Sequence, residues 1–303
     1  MGFLYLLEDI RVPVLNEFML AITTLGEETA FLVIALILFW CVNKRLGYYI
    51  LSVGFVGTIF NQFLKLLFRI PRPWVLDENF TILEQAREAA SGYSFPSGHT
   101  QSAAGTFGGI AYAAKNRKVR IACIIIAALV AFSRMYIGVH TPLDVVVSLG
   151  LAALLIIALR PVLLGNSGKY VPYLLGVMLL LAVGFLCFVK YFPFPADIDQ
   201  HNYASGLKNA FTLLGALLGL LVVYIVDEKW LNFNTKAVWW AQILKVAIGL
   251  GLVLAVKSGT KDVLNMLLGE SVGRSARYFL IVLVAGILWP LSFKWFSKLG
   301  NKE

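Results

Sequence analysis

Residues 119–163 read VRIACIIIAALVAFSRMYIGVHTPLDVVVSLGLAALLIIALRPVL and hold two apolar runs, 119–137 and 141–163, with a short joint between them. A bilayer-spanning α-helix takes about 20 apolar residues, so each run is long enough to cross a membrane. The residues around the joint include Arg134, His140 and Asp144. A single Lys or Arg at the edge of a membrane is usually an anchor that extends to the interface, whereas several ionisable residues together there are costly and point to a function. The stretch therefore predicts two membrane helices with a functional group of residues where they meet.

The rest of the chain repeats this pattern of apolar runs and polar punctuation. Such runs fall at about 27–43, 47–68, 97–114, 119–137, 141–163, 171–190, 207–226, 237–256 and 277–296. Of the 303 residues, 59% are hydrophobic and 14% are charged, whereas a soluble domain has about 25% charged residues. We predict an all-α polytopic membrane protein with about nine transmembrane helices. Five of these helices form a catalytic core, and the others follow it toward the C-terminus.

Three segments are predicted along the chain. Residues 1–26 are amphipathic rather than continuously apolar, which is typical of an interfacial segment. Residues 27–164 contain the polar groups described below and form the predicted catalytic core. A polar Gly/Asn/Ser stretch near 165 marks a seam, and residues 165–303 are additional transmembrane helices to which the sequence assigns no role.

The basic residues indicate an orientation in the membrane. Lys and Arg concentrate in loops that fall on one side by span counting, at 43–45, 115–120, 160–169 and 229–236, and in the tail after 294. The positive-inside rule makes that side, and with it the C-terminus, cytoplasmic. The net charge of +9 is then explained by topology, so no nucleic-acid partner is expected. We expect an integral protein of a bacterial inner or plasma membrane.

Three constellations of residues suggest the chemistry. The first is Lys65, six residues, then Arg72-Pro73. The second is Pro96-Ser97-Gly98-His99. The third is Ser133-Arg134, five residues, His140, three residues and Asp144. Span counting places all three at one face of the membrane, the outer one.

The positive groups in these constellations suit phosphoryl transfer, whose transition state spreads negative charge over three oxygens. Lys65, Arg72 and Arg134 supply fixed charge, and a guanidinium can hold phosphate through two hydrogen bonds. Ser97 and Gly98 stand at a predicted helix start, where free N–H groups attract an anion. These five residues are the predicted phosphate-binding residues.

The two histidines suit covalent catalysis. His140 and Asp144 are four residues apart at a helix start, so they share a face. Asp144 can accept the proton of one ring nitrogen and leave the other directed at phosphorus. His99 remains as the acid for the departing oxygen and the base for the attacking water. The predicted catalytic residues are therefore His140, His99 and Asp144.

This pattern resembles the signature of the type-2 phosphatidic-acid phosphatase superfamily, and the resemblance covers about residues 40–160. It implies His140 as nucleophile, Asp144 as its partner and His99 as acid. It also implies phosphate ligation by Lys65, Arg72, Ser97, Gly98 and Arg134, with no metal and no cofactor. In its layout the chain is more loosely similar to the glucose-phosphatase and sphingoid-phosphate phosphatase branches.

A site at the outer interface is reached most easily from the bilayer, so we expect a lipid phosphate or diphosphate as substrate. Three alternatives stay open: a phosphatase of a water-soluble sugar phosphate, a lipid phosphotransferase, and a transporter or flippase with a vestigial site. Self-association into a homo-oligomer is also left open. Residues 81–90, rich in Glu, Ala and Leu, predict a short amphipathic helix beside the site.

Overall fold

The computed structural model describes residues 1–88, 90, 92–165 and 168–299. Within these ranges the regular elements are all helical. The α-helices are α1 (Gly2–Asp9), α2 (Pro13–Thr23), α3 (Glu28–Ile37), α4 (Lys44–Phe68), α5 (Pro73–Leu76), α6 (Gly98–Ala103), α7 (Gly109–Ala113), α8 (Arg117–Tyr136), α9 (Pro142–Leu163), α10 (Val171–Tyr191), α11 (Gln200–Val226), α12 (Trp239–Gly259), α13 (Lys261–Leu283) and α14 (Phe293–Phe296). The predicted all-α class is confirmed.

Seven helices in the described part of the chain are long and apolar enough to cross a membrane. They lie at Lys44–Leu76, Arg117–Tyr136, Pro142–Leu163, Val171–Tyr191, Gln200–Leu231, Trp239–Gly259 and Lys261–Phe296. An eighth candidate span consists of Pro13–Gly26 and Glu28–Val42, which are bent by 57° at the break between them.

The predicted count of about nine spans is not confirmed. The segment predicted as a span at 97–114 is helical, but it consists of α6, a π-helical turn at Ala104–Gly108 and α7, with six, five and five residues. This is short for a helix that must cross a bilayer. The segment predicted at 27–43 is one half of the bent pair. The amphipathic helix predicted at 81–90 is wrong, because only Glu84–Ala86 form a single 3₁₀ turn there, and residue 89 lies outside the described part.

The chain forms two compact units, each made of segments distant in sequence. The first unit comprises Met1–Leu32, Ile50–Leu159 and Pro193–Gly206. In it, α1 and α2 pack against α8. Met19 of α2 is buried with Tyr136 and Ile137 at the end of α8. The N-terminal helices therefore support the part of α8 that carries Arg134.

The second unit comprises Val33–Tyr49, Arg160–Phe192 and Leu207–Glu303. Its interior contains Lys245, whose ammonium donates to the carbonyl oxygens of Trp40 (2.9 Å) and Thr235 (3.1 Å). The same ammonium lies 4.1 Å from the ring centroid of Phe293, a cation–π contact. Lys245 is thus bonded within the unit and holds its segments together. The predicted boundaries at 26/27 and 164/165 stay predictions.

Candidate active site

Every predicted site residue lies in the first unit, on elements that end or begin close to one another. Lys65 lies in the last turns of α4, and Arg72 directly precedes α5. Ser97 caps α6, and His99 lies in its first turn. Arg134 lies in the last turn of α8, His140 in the connection to α9, and Asp144 in the first turn of α9.

Asp144 is fixed by the way α9 begins. Thr141 and Asp144 form a reciprocal cap: the Thr141 N–H donates to Oδ2 of Asp144 (2.7 Å), and the Asp144 N–H donates to Oγ1 of Thr141 (3.3 Å). Pro142 suits the first helical position, where no N–H is needed. Ser94 adds a donor, since its hydroxyl lies 2.6 Å from the same Oδ2. The carboxylate of Asp144, a residue that is only 1% exposed, is therefore held in place by Thr141 and Ser94.

His140 is placed by the turn that follows α8. Gly138 has φ +91°, a conformation that residues with a side chain rarely adopt. This turn brings the N–H groups of Val139 and His140 onto the carbonyl of Arg134, at 3.2 and 3.3 Å. The imidazole is buried, with Nδ1 3.4 Å from Oδ2 of Asp144 and also 3.4 Å from the hydroxyl of Ser94.

Arg72 determines whether the second ring nitrogen of His140, Nε2, carries a proton. Its Nη1 lies 3.0 Å from Nε2 of His140 and donates to the carbonyl of Val139 at 2.8 Å. Its Nε donates to the carbonyl of Gly92 at 2.9 Å. A guanidinium only donates, so Nε2 must accept, and the ring proton then belongs on Nδ1, facing Asp144. The lone pair of Nε2 is thus directed at the guanidinium of Arg72, which is itself a predicted phosphate-binding residue.

The other two cations, Lys65 and Arg134, form hydrogen bonds to neighbouring segments of the chain. Lys65 donates to the carbonyl oxygens of Tyr93 (2.6 Å) and Ser94 (3.2 Å). Arg134 is 2% exposed, and its Nη1 donates to Oγ1 of Thr23 at 2.7 Å. Its Nε is buried without a hydrogen-bond partner in the described structure. An unpaired buried donor of this kind suits an incoming anion.

Ser97 and Gly98 begin α6 in the same pocket. The Ser97 hydroxyl accepts from the N–H (3.4 Å) and the hydroxyl (2.9 Å) of Thr100. The Ser97 N–H donates to the carbonyl of Asp144 at 3.3 Å, which ties α6 to α9. The N–H groups in the first turn of a helix have no carbonyl one turn earlier, so those of Gly98 and His99 can serve an anion.

Burial and the positive charges of the pocket lower the pKa of His140, the predicted nucleophile. Burial lowers the pKa of His140 well below its ordinary value, and Arg72, Arg134 and Lys65 lower it further. His99 also acts on this imidazole. The five side chains thus lie in one electrostatic environment, and His140 is neutral at physiological pH. A neutral imidazole is the form that can attack phosphorus.

No group of three or more His, Cys, Asp or Glu side chains in the described residues has a metal-binding arrangement. Asp197, Asp199 and His201 lie close together in the sequence, but the carboxylate of Asp199 forms hydrogen bonds within the protein. Oδ1 of Asp199 accepts from the backbone N–H (2.7 Å) and the side-chain amide (2.8 Å) of Asn202. The lack of a metal requirement stays a prediction.

Several polar residues in and around the site, among them Ser94, Thr23 and Asn61, do not belong to the sequence patterns. Ser94 bonds to Asp144, Thr23 bonds to Arg134, and the amide of Asn61 donates to the carbonyl of Pro96 at 3.4 Å. Thr23 and Arg134 are 111 residues apart, and no spacing in the sequence links them. Asn61 could have been noticed, since it lies one turn before Lys65 in a predicted membrane helix.

Two protein-family models match separate parts of the chain. The model of the PAP2 superfamily matches residues 44–167, and the model described as PAP2 superfamily phosphatase, transmembrane extension, matches residues 211–302. The first match contains the predicted site residues from Lys65 to Asp144. No solved structure matches the chain.

Three curated proteins resemble parts of the chain. Undecaprenyl-diphosphatase BcrC of Bacillus subtilis (strain 168) is 35% identical over 102 residues, which are 34% of this chain and 50% of that protein. Phosphatidylglycerophosphatase B of the same organism is 35% identical over 159 residues, 48% of this chain and 74% of that protein. Undecaprenyl-diphosphatase of Sulfolobus acidocaldarius is 28% identical over 138 residues, 45% of this chain and 65% of that protein. Together with the membrane-length helices, these matches identify an integral membrane protein.

Proposed function

Because the chain belongs to the PAP2 superfamily, we propose that it is a membrane phosphatase that hydrolyses a lipid phosphate or diphosphate through a phosphohistidine intermediate. The observation that carries this proposal is the pair of contacts on His140. Arg72 holds Nε2 as an acceptor at 3.0 Å, while Asp144 and Ser94 stand behind Nδ1. The relatives that support a lipid substrate are named for undecaprenyl diphosphate and phosphatidylglycerophosphate.

The first chemical step transfers the phosphoryl group to His140. Burial and the nearby cations lower the pKa of His99 to about 3, so its protonated form depends on the negative charge of the bound phosphate. Once that phosphate takes over the hydrogen bond of Arg72, Nε2 attacks phosphorus, the bond from phosphorus to the leaving oxygen breaks, and protonated His99 gives its proton to that oxygen. Arg72, Lys65 and Arg134 stabilise the charge on the transferred oxygens together with the first N–H groups of α6. Asp144 keeps the proton on Nδ1 and stabilises the ring as it becomes positive.

The second step releases inorganic phosphate. His99, now neutral, takes a proton from a water molecule as that water attacks phosphorus, and the bond from phosphorus to Nε2 breaks. The electron pair returns to Nε2, and both histidines regain their starting protonation. No metal or cofactor takes part in this proposed cycle.

Residues 27–164 form the catalytic core in this proposal, with 1–26 at the interface and 165–303 as additional membrane helices. The distribution of Lys and Arg supports an active site on the outer face and a cytoplasmic C-terminus. Single cysteines introduced at the exposed positions Lys115 and Asp197, in a variant without native cysteines, test this orientation. A membrane-impermeant thiol reagent on whole cells is expected to label position 197 only. Labelling of position 115 instead would reverse the orientation.

The test of the reaction uses purified protein in detergent with EDTA present. Release of phosphate is measured from phosphatidate, a polyprenyl diphosphate and glucose 6-phosphate. We expect turnover of at least one of the two lipids, a loss of more than about 1,000-fold in His140→Ala, and unchanged turnover in Ser52→Ala, a buried serine outside the site. Brief exposure to radiolabelled substrate is expected to give an acid-labile, alkali-stable label on the protein.

Full activity of His140→Ala would exclude the phosphohistidine mechanism. Turnover of glucose 6-phosphate alone would make the protein a sugar-phosphate phosphatase. Loss of activity in EDTA that is restored by a divalent cation would contradict the metal-free cycle.

A further inference from the structure

The last turn of α8 has its carbonyl groups bonded, and one of the partners is distant in sequence. A helix leaves its last four carbonyl oxygens without partners inside the helix. Those of residues 133–135 accept from backbone N–H groups of the turn that follows. That of Tyr136 accepts from Nε of Arg11 at 3.0 Å. Arg11 therefore completes the end of the helix that carries Arg134, just before the turn to His140.

Arg11 also joins this turn to another segment of the first unit. Its Nη1 donates to the carbonyl oxygen (2.9 Å) and to the hydroxyl (3.3 Å) of Thr81. Two residues later, the N–H of Leu83 donates to the carbonyl of Ile137 at 3.1 Å. The guanidinium thus connects Thr81 and Tyr136 through two nitrogens of one rigid plane, which the single ammonium of a lysine cannot reproduce.

The guanidinium lies directly against the turn because residue 138 is a glycine. A Cβ on Gly138 would lie 2.8 Å from Nη2 of Arg11. Gly138 is the residue whose positive φ directs the chain toward His140. Arg11 therefore contacts the backbone two residues before His140 and limits how far this turn can move.

Arg11 is itself held in place by α1 and by the segment around Thr81. Glu8, in the last turn of α1, accepts through Oε1 from the N–H of Thr81 at 3.2 Å and also from its hydroxyl. Leu4 of α1 is buried together with Phe80. The guanidinium of Arg11 lies 5.6 Å from the ring centroid of Phe80. Arg11 is thus the point at which this packed segment meets the turn after α8.

We propose that Arg11 is a positioning residue for His140, the nucleophile of the proposed reaction. It holds the turn after α8 so that Nε2 is aligned with the bond from phosphorus to the leaving oxygen. The hydrogen bonds of Arg11 go to Tyr136 and Thr81, so it acts through the turn and not on the substrate. The assignment rests on the proposed function and adds to it a residue outside 44–167, the part matched by the PAP2 model.

The test measures kcat, KM and the rate of phosphoenzyme formation with a lipid that the wild-type protein hydrolyses. We expect Arg11→Ala to lower kcat and the rate of phosphoenzyme formation by at least about 10-fold, since a small displacement of the reacting nitrogen is costly. KM is expected to change by less than about 3-fold, because the phosphate-binding cations keep hydrogen bonds of their own.

Arg11→Lys keeps the charge but not the planar fork, and it carries the test if Arg11→Ala does not fold. We expect it to lower kcat as well, because an ammonium cannot connect the two segments in the same way. Arg120→Ala is the matched control, with wild-type kcat expected. Arg120 is an exposed arginine of the same unit that donates to the carbonyl of Ala114, at the end of α7, at 3.1 Å.

Wild-type kcat in Arg11→Ala or in Arg11→Lys would overturn the assignment, and in the second case charge alone would be sufficient. A loss confined to KM, a loss of kcat with unchanged phosphoenzyme formation, or an equal loss in Arg120→Ala would overturn it too. In all of these cases the wild-type protein still forms phosphoenzyme and releases phosphate, which separates this failure from that of the proposed function. No phosphoenzyme in the wild-type protein would overturn both.

Discussion

The hydroxyl of Ser94 lies 2.6 Å from Oδ2 of Asp144 and donates a hydrogen bond to it, although Ser94 belongs to none of the three sequence constellations. The same carboxylate oxygen faces Nδ1 of His140. The serine thereby holds the carboxylate in the position from which it fixes the ring proton. This makes Ser94 a positioning residue for the proposed nucleophile.

Ser94→Ala is expected to lower kcat by about 10- to 100-fold, because a hydrogen bond to a charged group contributes about 1.5–3 kcal/mol. KM should change little, since Ser94 does not contact the phosphate in the proposed cycle. Phosphate release under saturating substrate measures the effect. Ser52→Ala, at an equally buried serine away from the site, serves as the control. A kcat equal to that of the wild type would show that Thr141 alone is sufficient to position Asp144.

Thr23→Val tests the support that the N-terminal helices give to Arg134. Oγ1 of Thr23 accepts from Nη1 of Arg134 at 2.7 Å, and valine keeps the shape but loses the acceptor. We expect kcat/KM to fall by about 10-fold through a guanidinium that is less well oriented. Thr24→Val is the control, since Thr24 is exposed and its hydroxyl donates to the carbonyl of Ala21, three residues earlier. Equal activity of the two variants would contradict the role of Thr23.

The helices could be predicted where the apolar runs are long and end in polar residues. The run at 141–163 corresponds to α9 at Pro142–Leu163, and the run at 171–190 to α10 at Val171–Tyr191. The count of spans could not be predicted. Composition does not show that 98–113 contains a π-helical turn, nor that Pro13–Gly26 joins a bent pair.

The candidate site could be predicted where its residues lie close together in the sequence. Asp144 and His140 are four residues apart, so helix geometry predicted that they would lie close together, although His140 lies just before α9 begins. Arg72 is 68 residues from His140. Its side-chain chemistry, the span count and the family resemblance suggested that it belongs to the same site, but no local spacing did. Thr23 and Ser94 could not be found in this way. Each acts through a single hydroxyl, and serine and threonine are as common in loops and helix caps as in active sites.

Gly92→Ala tests the loop that anchors two of the cations. Gly92 has φ +88°, and a Cβ there would collide with the side-chain amide of Asn202. Its carbonyl accepts from Nε of Arg72 at 2.9 Å, so a displaced loop would also displace the guanidinium. We expect kcat/KM to fall by about 5- to 30-fold, since a left-handed backbone costs a residue with a side chain about 1–2 kcal/mol. Gly150→Ala is the control, because nothing lies within 4 Å of a Cβ at that helical position.

The protonation state of His140 is expected to affect how the stability of the protein depends on pH. His140 lies in the connection between two membrane helices, where burial lowers its pKa well below the ordinary value and Arg72, Arg134 and Lys65 lower it further. An unfolded chain protonates this histidine near pH 6.5, whereas the folded protein does not. Below that pH the unfolded state therefore binds one more proton, and the fold is destabilised as the pH falls toward the folded-state pKa. The effect is at most about 1.4 kcal/mol per pH unit.

The measurement compares the apparent Tm of the wild type and of His140→Asn in detergent at pH 8 and pH 5.5. Asparagine cannot take up the proton, so the variant lacks the contribution of His140 to the pH dependence. We expect the Tm of the wild type to fall more than that of the variant between the two pH values. An identical fall would mean that His140 can be protonated in the folded protein. In that case Nε2 would not be held as an acceptor by Arg72, and the ring would not be ready to attack phosphorus at neutral pH.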